Sequence, residues 1–153
     1  MGTMEGDFTL YAGKTVSVVE ESLVKLVENF ENGYAIFITR QMAIKAGFQC
    51  TDETMIATAA SELATNIVRY AKTGEITISI IRNIKDGRQG VELFAYDKGP
   101  GIADINLAMQ DQYSSLPHSL GLGLPSVKRI MDEFYIESIL GKGTRVLARK
   151  WKK

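Results

Sequence analysis

The stretch "TDETMIATAASELATNIVRYAKTGEITISIIRNI", Thr51 to Ile84, decides how the chain is read. Apolar pairs recur at Met55/Ile56, Ala59/Ala60, Leu63/Ala64 and Ile67/Val68. That spacing is close to 3.6 residues, the period of a helix with one buried face. Thr51 or Asp52 stands where a helix cap is expected, and acids in the first turn suit the positive end of the helix dipole. Gly74 is the expected stop. The pattern then changes. "EITISIIRNI" is rich in β-branched residues and reads as a strand, "KDGRQG" as a turn, and "GVELFAYDKG" as a second strand running back.

A long helix followed by a hairpin points away from βαβ crossovers. Toward the N-terminus, "YAIFITRQMAIKAGF" reads as a helix that stops near Gly47. "SLVKLVEN" reads as a strand, with a helix running on to Phe30 as the alternative. "FTLYAGKTVSVVE" has two β-prone runs around "AGK" and reads as a hairpin, and "MGTMEGD" reads as a frayed end. Toward the C-terminus, "ADINLAMQDQYSSLPHSLGLG" lacks a sustained period and reads as a short helix plus loop. "LPSVKRIMDEF" reads as a helix with Pro125 in its first turn, and "YIESIL", "GKG" and "TRVLARKW" as a final hairpin. The expected fold is α+β: a two-layer sandwich, a mostly antiparallel sheet with helices on one face. Residues 1–21 are expected to form an N-terminal extension and residues 22–153 the domain.

Bulk properties narrow the function classes. At 153 residues a single domain is expected. Lys+Arg and Asp+Glu each number 18, so no net charge favours nucleic acid or an anionic membrane, and neither is expected as a partner. The single cysteine, Cys50, has no internal disulfide partner, which suits a reducing cytoplasm. No apolar run approaches the ~20 residues of a membrane span, and no signal-peptide pattern opens the chain. A cytoplasmic location is expected.

Four short motifs carry the chemistry. Glu62 and Asn66 lie four apart on the long helix and so neighbour each other at the border of its apolar stripe. A carboxylate there can take a proton from a hydroxyl, and an amide oxygen one turn away can ligate a hard cation such as Mg²⁺. In "SLGLGLPSVKRIMD", Gly121 and Gly123 precede a helix, whose free N–H groups attract anions. In "DKGPGI", Asp97 stands at a strand end, and Gly99 and Gly101 permit a tight turn. "GKGT" ends on Thr144 in the last hairpin. Alone, each motif is commonplace: a polar helix flank, a glycine loop, an Asp-initiated turn, a hairpin turn.

Taken together, their order is distinctive. ExxxN on a helix, DxGxG after a strand, GxGL opening a helix and GxGT in a last hairpin resemble the GHKL superfamily, the Bergerat ATP-binding fold. Within it, "ATAASELATNIVRYAKTGEI", "AYDKGPGIADI", "GLGLPSVKRIMDEF" and the closing "KW" are most similar to the RsbT-like serine/threonine-protein kinases of the stressosome, and less closely to anti-sigma kinases. The resemblance implies an ATP- and Mg²⁺-dependent kinase. Glu62 would be its general base and Asn66 the Mg²⁺ ligand. Asp97 would accept from the adenine amine, and Gly99 and Gly101 would shape the base pocket. Gly121, Gly123 and Leu124 would offer N–H groups to the phosphates, with Lys128 and Arg129 adding charge, and Thr144 would support the adenine contact. The implied partners are a STAS-domain antagonist as substrate and a PPM-type phosphatase, or alternatively a sigma factor for an anti-sigma binding module. Ser119 departs from the family's GxGxGL by replacing its first glycine, within a lid of about Asp104 to Leu120. His118, the only histidine, reads as a solvated loop residue.

Overall fold

The structure is a computed structural model that describes residues 2–4, 15–28, 33–110 and 123–153. Within these the elements are β1 (Gly2–Met4), β2 (Val16–Leu26), α1 (Gly33–Lys45), α2 (Cys50–Asn66), β3 (Gly74–Asn83), β4 (Gln89–Asp97), α3 (Ile105–Ala108), α4 (Gly123–Ile130), β5 (Glu133–Ile139) and β6 (Gly143–Trp151). The strands form one sheet in the order β1-β5-β6-β4-β3-β2, antiparallel at every pairing. The helices pack on one face, so the expected α+β sandwich is borne out.

Alternation along the strands produces that packing. Ile76, Ile78 and Ile80 of β3 and Val91, Leu93 and Ala95 of β4 point to the helix side. Ile56, Ala59, Ala60 and Leu63 of α2, Met42 and Ala43 of α1 and Val127 of α4 close over them. Alanines at successive turns of α2 let its backbone lie close to its neighbours. The helix touches both α1 and α4, which makes it the centre of the helical layer.

Several elements differ from the sequence expectation. The start of the chain, expected to fray, contributes β1, which pairs Gly2 with Ser138 and Met4 with Ile136. This pairing covers β5, which would otherwise be an open sheet edge. "VSVVE" is not half of a hairpin. It runs on into "SLVKL" as one strand of 11 residues, β2. The register shifts between Val18 and Glu20, so the bulge at Val19 brings Ser22 and Val24 opposite Ile78 and Ile76. The strand therefore begins six residues ahead of the expected boundary at residue 22. Residues 8–14 of the expected hairpin lie outside the described residues.

Helix α1 ends as expected. Gly47 adopts φ 95°, its N–H donates to Ile44 O (3.0 Å), and the Phe48 N–H donates to Ala43 O (3.0 Å), the paired bonds of a Schellman end. Phe48 then turns into the core. Only Gln49 is left to break the chain before α2, so Gln49 is the extended N-cap residue, and Thr51 and Asp52 fall inside the first turn. Gly74 is not the stop of α2 either. The α-helix yields at Asn66 to a wider π-turn over Ile67–Ala71, and Lys72 reverses the chain at φ 71°. Gly74 already pairs with Leu26 in the sheet. At the other end of the domain, α4 stops at Ile130. "DEF" leaves the helix because Phe134 is needed as a buried strand residue, and Lys150 Nζ donates to the terminal Ile130 carbonyl (2.9 Å). The hairpins β3–β4 and β5–β6 are as read from sequence. No described helix is long and apolar enough to cross a membrane.

Candidate nucleotide site

Three strands end together at one edge of the helix-facing surface. The pairing sets Ser138 of β5 opposite Thr144 of β6, and Thr144 opposite Asp97 of β4. Asp97 is the last residue of its strand. Its Oδ1 accepts the Gly99 N–H at 2.9 Å, an Asp-initiated turn. Burial pushes the Asp97 carboxyl above its ordinary value, and the backbone N–H groups of Gly99 and Thr144 oppose that shift.

The two glycine turns are packed against each other. Gly141 N–H donates to Pro100 O (2.9 Å), so the "GKG" and "KGPG" turns are tied by backbone. Gly143 sits at φ 131°, and a methyl group there would collide with the Asp97 carbonyl oxygen. Only glycine can combine that conformation with that approach. Gly101, at φ 80°, lies under the Ile139 carbonyl, where a methyl group would come within 2.5 Å of the oxygen. A methyl group on Gly99 would come within 2.5 Å of Ala71 Cβ. The Asp97 turn therefore rests on the π-turn that directly follows Asn66.

Asn66 meets the second helix from its other side. A methyl group on Gly123 would lie 2.7 Å from Asn66 Nδ2 and 3.0 Å from Oδ1. The first residue of α4 thus sits against the Asn66 carboxamide. The opening N–H groups of a helix have no partner within it, and those of Gly123 and Leu124 belong to this turn. Glu62, half-buried, stands one helical turn before Asn66. Leu124 is half-buried against the core. Lys128 and Arg129 are exposed, but they occupy the last turn of α4 and not the turn that begins it. Gly121, Ser119 and His118 lie outside the described residues, as do residues 111–120 of the expected lid. Of its described part, Asp104 caps α3 by accepting the Leu107 N–H (3.1 Å).

The structure therefore gathers Asn66 with Gly123, and Asp97 with Gly99, Gly101, Gly143 and Thr144, and joins the two groups through Ala71 and Gly99. Sequence reading missed Ser138. It is buried, and its Oγ accepts the Ile102 N–H (2.7 Å), lies 2.8 Å from Thr144 Oγ1 and reaches Gly143 O at 3.2 Å. Its signal was a polar residue in the inward phase of a strand, two positions after Ile136. The π-turn, which leans Ala71 on Gly99, had no sequence signal.

Among the described residues, no cluster of three acidic, histidine or cysteine side chains is built to hold a metal. Asn66 offers an amide oxygen beside the start of α4, and a donor set this small suits a cation such as Mg²⁺ that takes most of its oxygens from phosphates and water.

Comparison with known proteins identifies the family. The family profile of the histidine kinase-like ATPase domain matches residues 23–150. The chain is 41% identical over 132 residues to the serine/threonine-protein kinase RsbT of Bacillus subtilis, covering 86% of this chain and 97% of that protein. It is 37% identical over 100 residues to an anti-sigma F factor of Clostridium kluyveri, covering 63% of this chain and 69% of that one. An anti-sigma F factor of Geobacillus stearothermophilus is 37% identical over 107 residues, covering 65% and 70%. The chain belongs to the histidine kinase-like ATPase domain family, in its serine/threonine-protein kinase branch.

Proposed function

We propose that the protein transfers the γ-phosphate of ATP to a serine on a STAS-domain antagonist, and that on release it binds and activates a PPM-type phosphatase in a cytoplasmic partner switch. The observation that carries the reading is the seating of Gly123 against the Asn66 carboxamide, which sets a helix N-terminus beside the amide proposed to hold the cation. Similarity to a protein named as a serine/threonine-protein kinase supports phosphoryl transfer to a protein hydroxyl, and the STAS and phosphatase assignments follow the motif resemblance.

Each residue then has a task. Asp97 accepts from the exocyclic amine of adenine, and Thr144 supports that contact. Gly99 and Gly101 let the backbone approach the base. Gly121, Gly123 and Leu124 donate backbone N–H groups to phosphate oxygens. Asn66 would hold Mg²⁺, which would supply neutralisation of phosphate charge when bound. Glu62 takes the proton from the serine hydroxyl as the serine oxygen bonds to phosphorus. The bond from the γ-phosphorus to the bridging oxygen breaks, and ADP leaves with that electron pair. Such transfers are accelerated mainly by positioning and charge stabilisation, which this arrangement supplies.

Gly123→Ala separates these tasks from folding. Gly123 opens α4, where glycine costs little relative to alanine, and the crowding falls on the end of one side chain, so the melting temperature is expected to change by no more than a few degrees. The added methyl group displaces the Asn66 amide, and Mg²⁺-dependent ATP affinity is expected to fall about tenfold, a loss of one good polar contact. Calorimetric titration with and without Mg²⁺ checks both halves.

Similarity to anti-sigma F factors supports a second reading, a module that sequesters a sigma factor. Incubation with γ-labelled ATP, Mg²⁺ and candidate STAS proteins separates the two. Label on a STAS serine is expected. Tight ATP binding with no transfer to any STAS protein, and a sigma factor as the captured partner, would favour sequestration.

A further inference from the structure

Ser138 is fully enclosed beside the base-binding end of the site, and its hydroxyl has three neighbours. The Ile102 N–H, 2.7 Å away, can only donate to it. The Gly143 carbonyl, 3.2 Å away, can only accept from it. Thr144 Oγ1, at 2.8 Å, can do either. A serine hydroxyl has one proton and two lone pairs. If that proton went to Thr144, the Gly143 carbonyl would lose its bond to Ser138. If it goes to Gly143, Ile102 N–H and Thr144 O–H fill the two lone pairs and every bond is made. In a buried network the fully satisfied arrangement is strongly favoured.

We infer that Ser138 is a positioning residue that fixes the direction of the Thr144 hydroxyl, so that the site presents Thr144 Oγ1 and the Asp97 carboxylate as two acceptors and thereby selects a purine with a 6-amino group over one with a 6-carbonyl. The inference rests on the nucleotide reading given above. Thr144 has spent its only proton on Ser138 and shows the ligand lone pairs alone, whether the contact is direct or through a water molecule. Asp97 lies beside Thr144 in the strand register, so the two acceptors act on one edge of the ligand. An amine has two hydrogens to give them. A carbonyl has none, and the single N1–H beside it can serve only one of the two acceptors, so at least one is left unpaired.

ATP and ITP differ only at that edge, a 6-amine beside a bare N1 against a 6-carbonyl beside an N1–H, and carry the same triphosphate. Calorimetric titration of each into the wild-type protein, Ser138→Ala, Thr144→Val and the double variant tests the assignment. Without Ser138 the Thr144 hydroxyl turns freely and donates to the ITP carbonyl. The ATP-to-ITP affinity ratio is expected to fall about tenfold in Ser138→Ala, the worth of one polar contact. In the Thr144→Val background, Ser138→Ala is expected to change the ratio no further, because the group it orients is gone. Equal weakening of ATP and ITP in Ser138→Ala, with the ratio unchanged, would overturn the inference and leave Ser138 a structural residue. Should Ser138→Ala fail to fold, Thr144→Ser and Thr144→Val decide. The serine variant is expected to keep the wild-type ratio and the valine variant to lose it, and the same ratio in both would overturn the inference. Wild-type protein that binds neither nucleotide would refute the nucleotide reading itself, a distinct outcome.

Discussion

Glu62→Ala is expected to bind ATP as the wild type does and to transfer phosphate about 10²- to 10⁴-fold more slowly, the usual worth of a general base. Glu62 lies one turn from Asn66 on α2, which places it beside the proposed phosphate end of the site and away from the base-binding end. In the proposed site nucleotide affinity rests on Asp97, on the glycine turns and on the N-terminus of α4, and none of these is touched by the substitution. The loss should therefore fall on the chemical step. A single-turnover assay with labelled ATP and a STAS substrate reads it, and direct titration of ATP serves as the control. Transfer at the wild-type rate would remove Glu62 from the role of base.

Asp97→Asn is expected to move affinity and stability in opposite directions. Burial raises the folded-state carboxyl above its ordinary value, so the folded protein holds this proton more tightly than the unfolded chain does. The stability this contributes is complete below the ordinary carboxylate range and is lost as pH rises through the raised value. At neutral pH the buried charge works against the unliganded fold. Asparagine has nearly the same shape and keeps an oxygen for the Gly99 N–H. The melting temperature of Asp97→Asn at pH 7 is therefore expected to equal or exceed that of the wild type, with the difference shrinking as pH falls toward 4. ATP affinity is expected to drop about 10- to 100-fold, because a carboxylate acceptor facing an amine is replaced by an amide. Thermal melts across pH, paired with ATP titration, test both. A variant that is less stable at pH 7 and still binds ATP tightly would show that Asp97 serves the fold and not the ligand.

Much of this was legible in the sequence because it rests on short-range pattern. The 3.6-residue recurrence of apolar pairs in α2, the β-branched runs of β3 and β4, and the glycine at the end of α1 each report local structure. So do the hairpins, whose turns are set by glycines. What was misread depends on contacts made far along the chain. Phe134 is drawn out of helix α4 because the sheet core needs it, and nothing within "LPSVKRIMDEF" reveals that need. The helix cap at Gln49 depends on where α1 ends. β1 exists through pairing with residues more than 130 positions away. The bulge at Val19 follows from matching β2 to β3, and the hairpin reading of "VSVVE" could not anticipate it.

The candidate site divides along the same line. Glu62, Asn66, Asp97 and the glycines are readable as motifs because each stands in a recognisable local setting. Their assembly is not local. Gly123 meets Asn66, and Gly143 meets the Asp97 carbonyl, only once the sheet has brought distant segments together. Ser138 was invisible for the same reason: it is a single serine in a strand, and its meaning comes from Ile102, Gly143 and Thr144 around it.

The measurement that tests the central claim most directly is calorimetric titration of the wild-type protein with ATP, with and without Mg²⁺, beside GTP. One saturable site is expected, strengthened by Mg²⁺ through Asn66 and preferring ATP to GTP through Asp97. No binding of adenine nucleotide under either condition would contradict the account.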